Sequence, residues 1–588
     1  MAMEVQERTC AQCKAVFKIE PEDFSFYERI KVFPPTWCSE CRLQRRLATR
    51  NERTLYRRNC DLCQKAMITR YSKEVEFPVY CVPCWYSDKW DPMEYGREYD
   101  FSKNFFVQLA ELHKVVPHPA LYMKNAVSSE YSNQVLDVKN AYLSFAILRS
   151  EDIYYSFFID HSRNIFDSLH IDQSEQCYEL VNTANNNRAL WSTYAHNSID
   201  IGFCYDVRNS SNCFGCVNLR NAKHQIWNTQ YSPEEYEKER AKWDLGSYTA
   251  LTKAKEKFYE FSLRFPRRYS MLFQTVHSTG NDLQNTKNAI NCFNSREVED
   301  SKNIYYSYGG LKNSQDINYS VDAELSYDSW SAIGSRVKFS IGAWGEEEIY
   351  TEFCSSTGSH DLFGCVSVTA KKEYVVLNKQ YTKSEYENLL PKILKHMSDM
   401  PYVDSLGRIY IFGEFFPPDF SHHAYNETIA QEFFPLTKEE VIKKGYRWKE
   451  PEARTYAITI KPVDLPDHIK EVTDVVLQEV IGCMHEGKCN EQCVTAFKIT
   501  AEELQFYRRM NLALPRLCPN CRHYERLERR NPLKLWHRQC MCDYKVYVNT
   551  AKHPHHEIGK CPNEFETSYA PDRKEIIYCE ACYNAEVV

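Results

Sequence analysis

The sequence predicts a mainly β fold. A central two-block β-solenoid built of 12-residue strand-turn units is flanked by N- and C-terminal α+β cysteine-rich modules and interrupted by helical inserts. One observation behind this prediction is the distribution of the 25 cysteines, of which eight lie before residue 85, ten lie after residue 482 and seven are scattered between. The other is a 12-residue repeat in the interior. Because 588 residues greatly exceed the usual length of one domain, we expect several domains.

The composition is that of a soluble globular protein, with 43% hydrophobic residues, 26% charged residues and a net charge of −7. The chain has no apolar run near 18 residues, and its first residues lack the pattern of a signal peptide. We therefore expect a cytoplasmic protein that neither crosses a membrane nor is secreted. In a reducing compartment, dense cysteine indicates metal ligands rather than disulfides.

Near the N-terminus the cysteines form four Cys-x-x-Cys pairs, which are Cys10/Cys13, Cys38/Cys41, Cys60/Cys63 and Cys81/Cys84. Two residues between cysteines let both sulfurs of a pair reach one tetrahedral Zn²⁺, which takes four thiolates. Sequential pairing predicts one zinc site from the first two pairs and another from the last two. The segments between the pairs are long enough for a hairpin or a short helix.

The C-terminal region repeats this plan, because residues 489–522 align with residues 10–42. Thr500 with Glu503 forms a capping box that predicts a helix start, and Pro21 marks the same start in the first copy. One predicted zinc site here consists of Cys489, Cys493, Cys518 and Cys521. The other consists of Cys540, Cys561, Cys579 and Cys582, with Cys542 as a competitor of Cys540 and with Cys483, His485, His553, His555 and His556 as spare candidates. The sequence thus predicts about four structural Zn²⁺ ions, at four thiolates each.

The shared series of a cysteine pair, Phe-Tyr and Pro-x-x-Cys-x-x-Cys-Arg resembles a zinc-ribbon, treble-clef-like domain of uncharacterised bacterial proteins, over residues 8–90 and 485–585. The resemblance implies a knuckle, a hairpin and a second knuckle that caps a helix, with a structural metal and no reaction. The C-terminal copy departs from the pattern by its Cys-x₃-Cys spacing and by a long insert before Cys561.

Arginine is concentrated around the second cysteine pair of each module, where residues 38–60 and 514–540 each carry a net charge of +5. Arginine interleaved with Tyr and Trp is typical of surfaces that bind phosphate backbones and stack on the bases of single-stranded RNA. The predicted nucleic-acid-binding residues are Arg42, Arg45, Arg46, Arg50, Arg53, Arg522, Arg526, Arg529 and Arg530. The alternative is that these arginines pair with the protein's own carboxylates or shield the negative zinc–thiolate centres.

The interior repeat runs from Asp137 to Ser232 as eight consecutive 12-residue units. The fifth and eleventh positions are mostly apolar, as at Ile153 and Ile159, and the second is small and polar, as at Ser162. This pattern predicts stacked strands and turns that bury a continuous core, and it leaves open whether one coil takes one unit or two. A second block with looser register covers residues 285–381.

Both blocks end alike, since residues 210–239 echo residues 359–388. The predicted domains are an N-terminal double zinc module (1–100), a first solenoid block (101–232), a helical insert (233–284), a second solenoid block (285–381), a helical and irregular connecting region (382–482) and a C-terminal double zinc module (483–588). Within the connecting region we expect one helix from Ser384 to His396 and another helical segment after Pro466.

The repeat also explains several side chains that could be mistaken for sites. Cys213 and Cys216 occupy repeat positions and are expected in the core, and the asparagines at 185, 197, 209 and 221 are expected to form a ladder of turns. Catalysis has little support: the aspartates Asp160, Asp167, Asp172, Asp200 and Asp206 form no tight carboxylate cluster in the sequence, and no P-loop or other catalytic motif is present.

Together these observations predict a non-enzymatic, zinc-stabilised protein whose basic modules, held by a rigid solenoid, bind RNA or a ribonucleoprotein. One alternative is a protein-interaction scaffold with purely structural zinc and a partner on the solenoid face. A second is a carbohydrate-active β-helix enzyme. A third is an analogy to the β-helical scaffolds of iron–sulfur assembly, with Cys354 or Cys365 as acceptors.

Overall fold

The computed structural model describes residues 4–451, 456–547, 549–556 and 558–587, and it confirms a mainly β fold with a central β-solenoid. The N-terminal module comprises β1 (Gln6–Thr9), β2 (Val16–Ile19), α1 (Pro21–Ile30), α2 (Ser39–Leu47), β3 (Tyr56–Asn59), β4 (Ala66–Thr69), β5 (Val79–Tyr80), α3 (Val82–Trp85), α4 (Phe105–His113) and β6 (His118–Pro119). Strands β1 and β2 form one antiparallel hairpin and β3 and β4 form another, each followed by a helix. Helix α1 begins at Pro21, as expected.

The first solenoid block is a stack of parallel strands. It contains β7 (Met123–Val127), β8 (Asn133–Tyr142), β9 (Phe145–Tyr154), β10 (Phe157–Asp160), β11 (Arg163–Phe166), β12 (Leu169–Asp172), β13 (Glu175–Tyr178), β14 (Val181–Leu190), β15 (His196–Gly202), β16 (Ser211–Phe214), β17 (Lys223–Ile226) and β18 (Thr229–Gln230). Phe157 lies opposite both Phe145 and Leu169, so neighbouring coils are offset by the length of one repeat unit. One coil therefore takes one unit, which settles the question that the sequence left open.

Within a coil the backbone conformation repeats every three residues, with a positive φ angle at every third position. Residues such as Asn140, Leu143, Ala146, Arg149 and Asp152 all have positive φ angles. Non-glycine residues adopt this left-handed conformation at some cost, which Asn and Asp bear best. The abundance of Asn and Asp in the repeat follows from this requirement.

The interior of the first block alternates serine with aliphatic side chains. Ile147, Ile153, Ile159 and Ile165 are almost fully buried at every sixth residue, and serines lie midway between them. The serine hydroxyls form ladders: Ser156 Oγ accepts the amide of Ser168 at 3.1 Å and donates to the carbonyl of Tyr154 at 2.9 Å. Each buried serine thus satisfies a backbone donor of the next coil.

The helical insert comes next, and the second block after it follows the plan of the first. They contain α5 (Pro233–Ala241), α6 (Tyr248–Ser262), β19 (Arg267–Arg268), β20 (Leu272–Val276), β21 (Gly280–Ile290), β22 (Cys292–Tyr305), β23 (Tyr308–Lys312), β24 (Gln315–Asn318), β25 (Ala323–Glu324), β26 (Tyr327–Trp330), β27 (Gly334–Ser335), β28 (Glu346–Ile349), β29 (His360–Phe363), β30 (Glu373–Val376) and β31 (Lys379–Gln380). The register is looser, because Gly280 pairs with Cys292 but Glu346 pairs with His360. Both blocks end in a hairpin, β17–β18 or β30–β31, followed by a helix.

The remaining elements are α7 (Lys383–Asp399), β32 (Tyr402–Val403), β33 (Ile409–Tyr410), α8 (Ala430–Phe433), α9 (Lys438–Lys443), β34 (Ile481–Gly482), β35 (Ala496–Phe497), α10 (Ala501–Met510), α11 (Pro519–Glu528), β36 (Trp536–Gln539), β37 (Glu564–Thr567), β38 (Ile577–Tyr578) and α12 (Glu580–Val587). Helix α7 matches the predicted helix at Ser384. The segment after Pro466 forms only short 3₁₀ turns at Ile469–Glu471 and Asp474–Leu477. Its β-branched residues and its short length do not sustain an α-helix.

The chain divides into two compact units. The first consists of residues 1–122, 270–449 and 533–535, and the second of residues 123–269, 450–532 and 536–588. The first unit therefore combines the N-terminal cysteine module with the second solenoid block, and the second unit combines the C-terminal module with the first block. No helix in the described parts of the chain is long and apolar enough to span a membrane.

Candidate metal centres

Four groups of cysteines share one local architecture. In each, a first cysteine directly follows the first strand of a hairpin, and a second precedes the other strand. The remaining two lie at the start of a helix, where the amide of the third cysteine donates to the sulfur of the first. Cys38 and Cys81 show this bond to Cys10 and Cys60 at 3.3 and 3.2 Å. Such a bond stabilises a thiolate, the form that binds metal.

The two N-terminal groups are those that the spacing predicts: Cys10, Cys13, Cys38 and Cys41, and then Cys60, Cys63, Cys81 and Cys84. The Cys13 and Cys38 sulfurs lie 3.8 Å apart, as do those of Cys63 and Cys81. Four thiolates around a tetrahedral Zn²⁺ with bonds of about 2.3 Å are separated by about 3.8 Å. Each of these two N-terminal groups thus has the dimensions of a Zn(Cys)₄ centre.

The third group contains a cysteine that the sequence pattern placed only among the spare candidates. Cys483 follows β34, and its sulfur accepts the amide of Cys518 at 3.3 Å, so it takes the position of Cys10. Its sulfur and those of Cys493, Cys518 and Cys521 could hold one ion. Cys489 also approaches, with its sulfur 3.7 Å from that of Cys521.

The fourth group brings together Cys540, Cys561, Cys579 and Cys582. The amide of Cys579 donates to Cys540 Sγ at 3.1 Å, which places Cys540 at the first hairpin position. Cys542 belongs to a different set, with His553, His556 and Cys582.

The arginines of α2 point into the second solenoid block. Arg42 binds Asp316 at 2.6 Å, and Arg45 binds Asp328 at 3.0 Å and Glu414 at 3.2 Å. Arg46 contacts both aspartates, donates to Asn318 Oδ1 at 2.6 Å and has no exposed surface.

Two further predicted arginines of this module also have partners within the protein. Arg50 pairs with buried Glu52, and its guanidinium lies 3.5 Å from the ring centroid of Tyr319. Arg53 lies 3.5 Å from Glu432.

Helix α11 makes the same kind of contact with the first solenoid block. Arg526 binds Asp167 at 2.9 Å and Glu179 at 3.1 Å, and Arg522 lies 3.3 Å from Asp167. Burial raises the pKa of Asp167 to about 6, although the two arginines lower it. Arg529 is half-buried and donates to the backbone oxygen of Glu179 at 2.7 Å, and Arg530 is half-buried.

The spacing of these contacts is the same in both units. Arginines four positions apart share one face of a helix, as Arg522 and Arg526 do. They meet carboxylates separated by one repeat unit, which lie on adjacent coils at corners with positive φ, as Asp167 and Glu179 do. In each unit a buried basic helix therefore forms ion pairs with two successive coils.

The solenoid side chains considered as sites lie where the repeat places them. Cys213, Cys216, Cys354 and Cys365 are fully buried, and their thiol pKa values are raised. The contact with Cys216 and then burial raise the pKa of Cys213, and burial is the main cause for the other three. Such thiols are poor ligands and nucleophiles. The Asn197 side chain donates to Asn209 at 3.1 Å, as a ladder of turns requires.

Besides Asp167, three of the aspartates considered for catalysis form ion pairs with arginines. Asp160 pairs with Arg149, Asp200 with Arg188, and Asp206 with Arg208 and Arg220.

One buried cluster gave no signal in the sequence because its members lie far apart in the chain. Glu352 lies 3.1 Å from His113 and 3.2 Å from His422, and the rings of His118 and His422 are 5.1 Å apart. Burial lowers the pKa of His113 to about 4 and that of His422 to about 3, so both rings are neutral at pH 7.

No protein-family model matches the chain, and no curated protein matches it. Among solved structures, the chain is similar to a protein of Desulfovibrio desulfuricans G20 described as a putative acetyltransferase. The identity is 11%, the similarity covers 49% of this chain and 85% of that one, and the TM-score is 0.09. A similarity this weak carries no inference about fold or function.

Proposed function

We propose that the protein is a non-catalytic, zinc-stabilised scaffold. In each compact unit a double zinc module holds a solenoid block, and the exposed solenoid surface serves a protein partner. The observation that carries this proposal is the burial of the module arginines against solenoid carboxylates. Solenoid coils need protection at their ends and sides, and the modules supply it.

Zinc is the metal that best suits the four sites. Four thiolates at tetrahedral distances favour Zn²⁺ or iron–sulfur chemistry, whereas carboxylates and waters favour Mg²⁺ or Ca²⁺. The sulfurs of Cys13 and Cys38 lie at the separation that one ion requires, with no room for a cluster of several atoms. A reducing, cytoplasmic environment would keep these thiols available.

The nucleic-acid hypothesis loses most of the residues on which it depended. Six of its nine arginines, Arg42, Arg45, Arg46, Arg50, Arg522 and Arg526, are buried. A guanidinium that already pairs with a buried carboxylate cannot reach a phosphate backbone without breaking that pair, which is costly. Most of the arginines that the hypothesis names are thus held inside the protein.

The test is the binding of the purified, zinc-loaded full chain to a fluorescently labelled mixed-sequence single-stranded RNA, followed by anisotropy at low and high salt. We expect no saturable binding at micromolar protein, even at low salt. A basic peptide with the sequence of residues 39–50 is the matched control, because its arginines are free in solution and should bind. Micromolar binding by the full chain that weakens steeply with salt would overturn the proposal.

A further inference from the structure

The insert in the fourth cysteine group carries a second set of metal donors. Only two residues separate the hairpin cysteines of the N-terminal groups, whereas the whole segment 541–560 separates Cys540 from Cys561. This segment includes Cys542, His553, His555 and His556. The insert folds back so that these side chains converge on Cys582, at the start of α12.

The donor atoms of Cys542, His553, His556 and Cys582 form a chain of short contacts. Cys542 Sγ lies 3.4 Å from His553 Nδ1, which lies 3.4 Å from His556 Nε2, which lies 3.3 Å from Cys582 Sγ. Ligands of a tetrahedral Zn²⁺, bound at about 2.0 Å through nitrogen and 2.3 Å through sulfur, are separated by about 3.3–3.6 Å. The three contacts therefore have the spacing of neighbouring ligands in a Cys₂His₂ site, and all four atoms lie within 4.8 Å of one another.

The surrounding side chains orient two of these donors. His553 is buried, and its Nε2 lies 2.8 Å from Glu586 Oε1. A carboxylate at one ring nitrogen directs the lone pair of the other nitrogen toward a metal. Asn549 Nδ2 donates to Cys542 Sγ at 3.4 Å, as partners of metal thiolates do.

We propose that this set binds a second Zn²⁺ beside the Cys540 site, with the Cys582 thiolate bridging the two ions. The proposal rests on zinc occupancy of the four cysteine groups and extends it to a fifth ion. A second cation would give the buried Cys542 thiol and the two imidazole nitrogens, which converge on one point, a common partner.

His555 belongs to the other side of the bridge. Its Nε2 lies 3.4 Å from Cys561 Sγ, 3.9 Å from Cys579 Sγ and 3.2 Å from Cys582 Sγ. It therefore lies against three sulfurs of the first site and is not one of the four donors of the second.

The test is the zinc content of the purified full chain, measured by native mass spectrometry and by elemental analysis. We expect five zinc ions per chain in the wild type and four in both Cys542→Ser and His556→Ala. The control His537→Ala, which removes an exposed histidine of β36 that bonds to Glu564 and Glu566, should keep five.

The outcomes separate this inference from the proposed function. Four ions in the wild type, unchanged in Cys542→Ser, would overturn the second ion and leave the four-site scaffold intact. Fewer than four ions in the wild type would overturn both. Because Cys542→Ser could unfold the insert, Glu586→Gln gives a second measure: it keeps every ligand, and we expect one zinc to be lost to a competing chelator about 10- to 100-fold more readily than in the wild type.

Discussion

At the scale of single residues, two arginines of the cysteine modules lie fully buried in the interior of the protein. Arg46 and Arg526 have no exposed surface, yet each is surrounded by carboxylates from adjacent coils. Buried ion pairs of this kind add little net stability when compared with an apolar packing, but breaking one partner away is costly. We propose that their value lies in fixing which helix docks on which pair of coils.

Replacing Arg526 by Met should therefore destabilise the second unit by about 3–5 kcal/mol, because the buried Asp167 and Glu179 would lose the one guanidinium that pairs with both of them. The matched control is Arg149→Met, which breaks a partly exposed pair with Asp160 and should cost less than about 1 kcal/mol. Urea unfolding of both variants measures the difference. Equal losses would show that the buried pair does not hold the unit together.

At the scale of elements, the three-residue period of the backbone determines the solenoid. Positions 2, 5, 8 and 11 of each unit point inward, and serines at positions 2 and 8 carry the ladders that join successive coils. The apolar fifth and eleventh positions are visible in the sequence, and so is the small polar second position. The eighth position, with Ser144, Ser156 and Ser168, completes the period.

Replacing Ser156 by Ala should cost about 1–3 kcal/mol, because the buried amide of Ser168 would lose its acceptor. The control is Ser25→Ala, at an exposed position of helix α1, which should be neutral or slightly stabilising. The denaturant midpoints of unfolding of the two variants are compared with that of the wild type. An unchanged midpoint for Ser156→Ala would refute a structural role for the ladder.

Some elements could be predicted and others could not, for identifiable reasons. The pairs Cys10/Cys13 and Cys60/Cys63 are recognisable because two residues separate the ligands in a tight knuckle. Cys483 is separated from Cys493 by an insert, so the spacing no longer identifies it. What identifies Cys483 as a ligand is its place directly after the first strand of a hairpin, which only the structure shows.

At the scale of the whole molecule, sequence order and spatial grouping differ. The N-terminal module shares a unit with the second solenoid block, and the C-terminal module shares a unit with the first. Local patterns cannot show this, because the contact between Arg46 and Asp328 spans 282 residues. The excess of acidic residues outside the +5 segments did indicate that partners for the arginines were available within the chain.

The central claim is that the zinc modules hold the solenoid blocks, and hydrogen exchange tests it most directly. The full chain is compared with and without metal, and exchange is read at the coils that carry Asp167, Glu179, Asp316 and Asp328, with β21 as the internal reference. Removing zinc should unfold the modules that present α2 and α11, so exchange at these coils should rise about tenfold or more, and more than at β21. Unchanged exchange at the four carboxylate coils, with the modules themselves unfolded, would contradict the account.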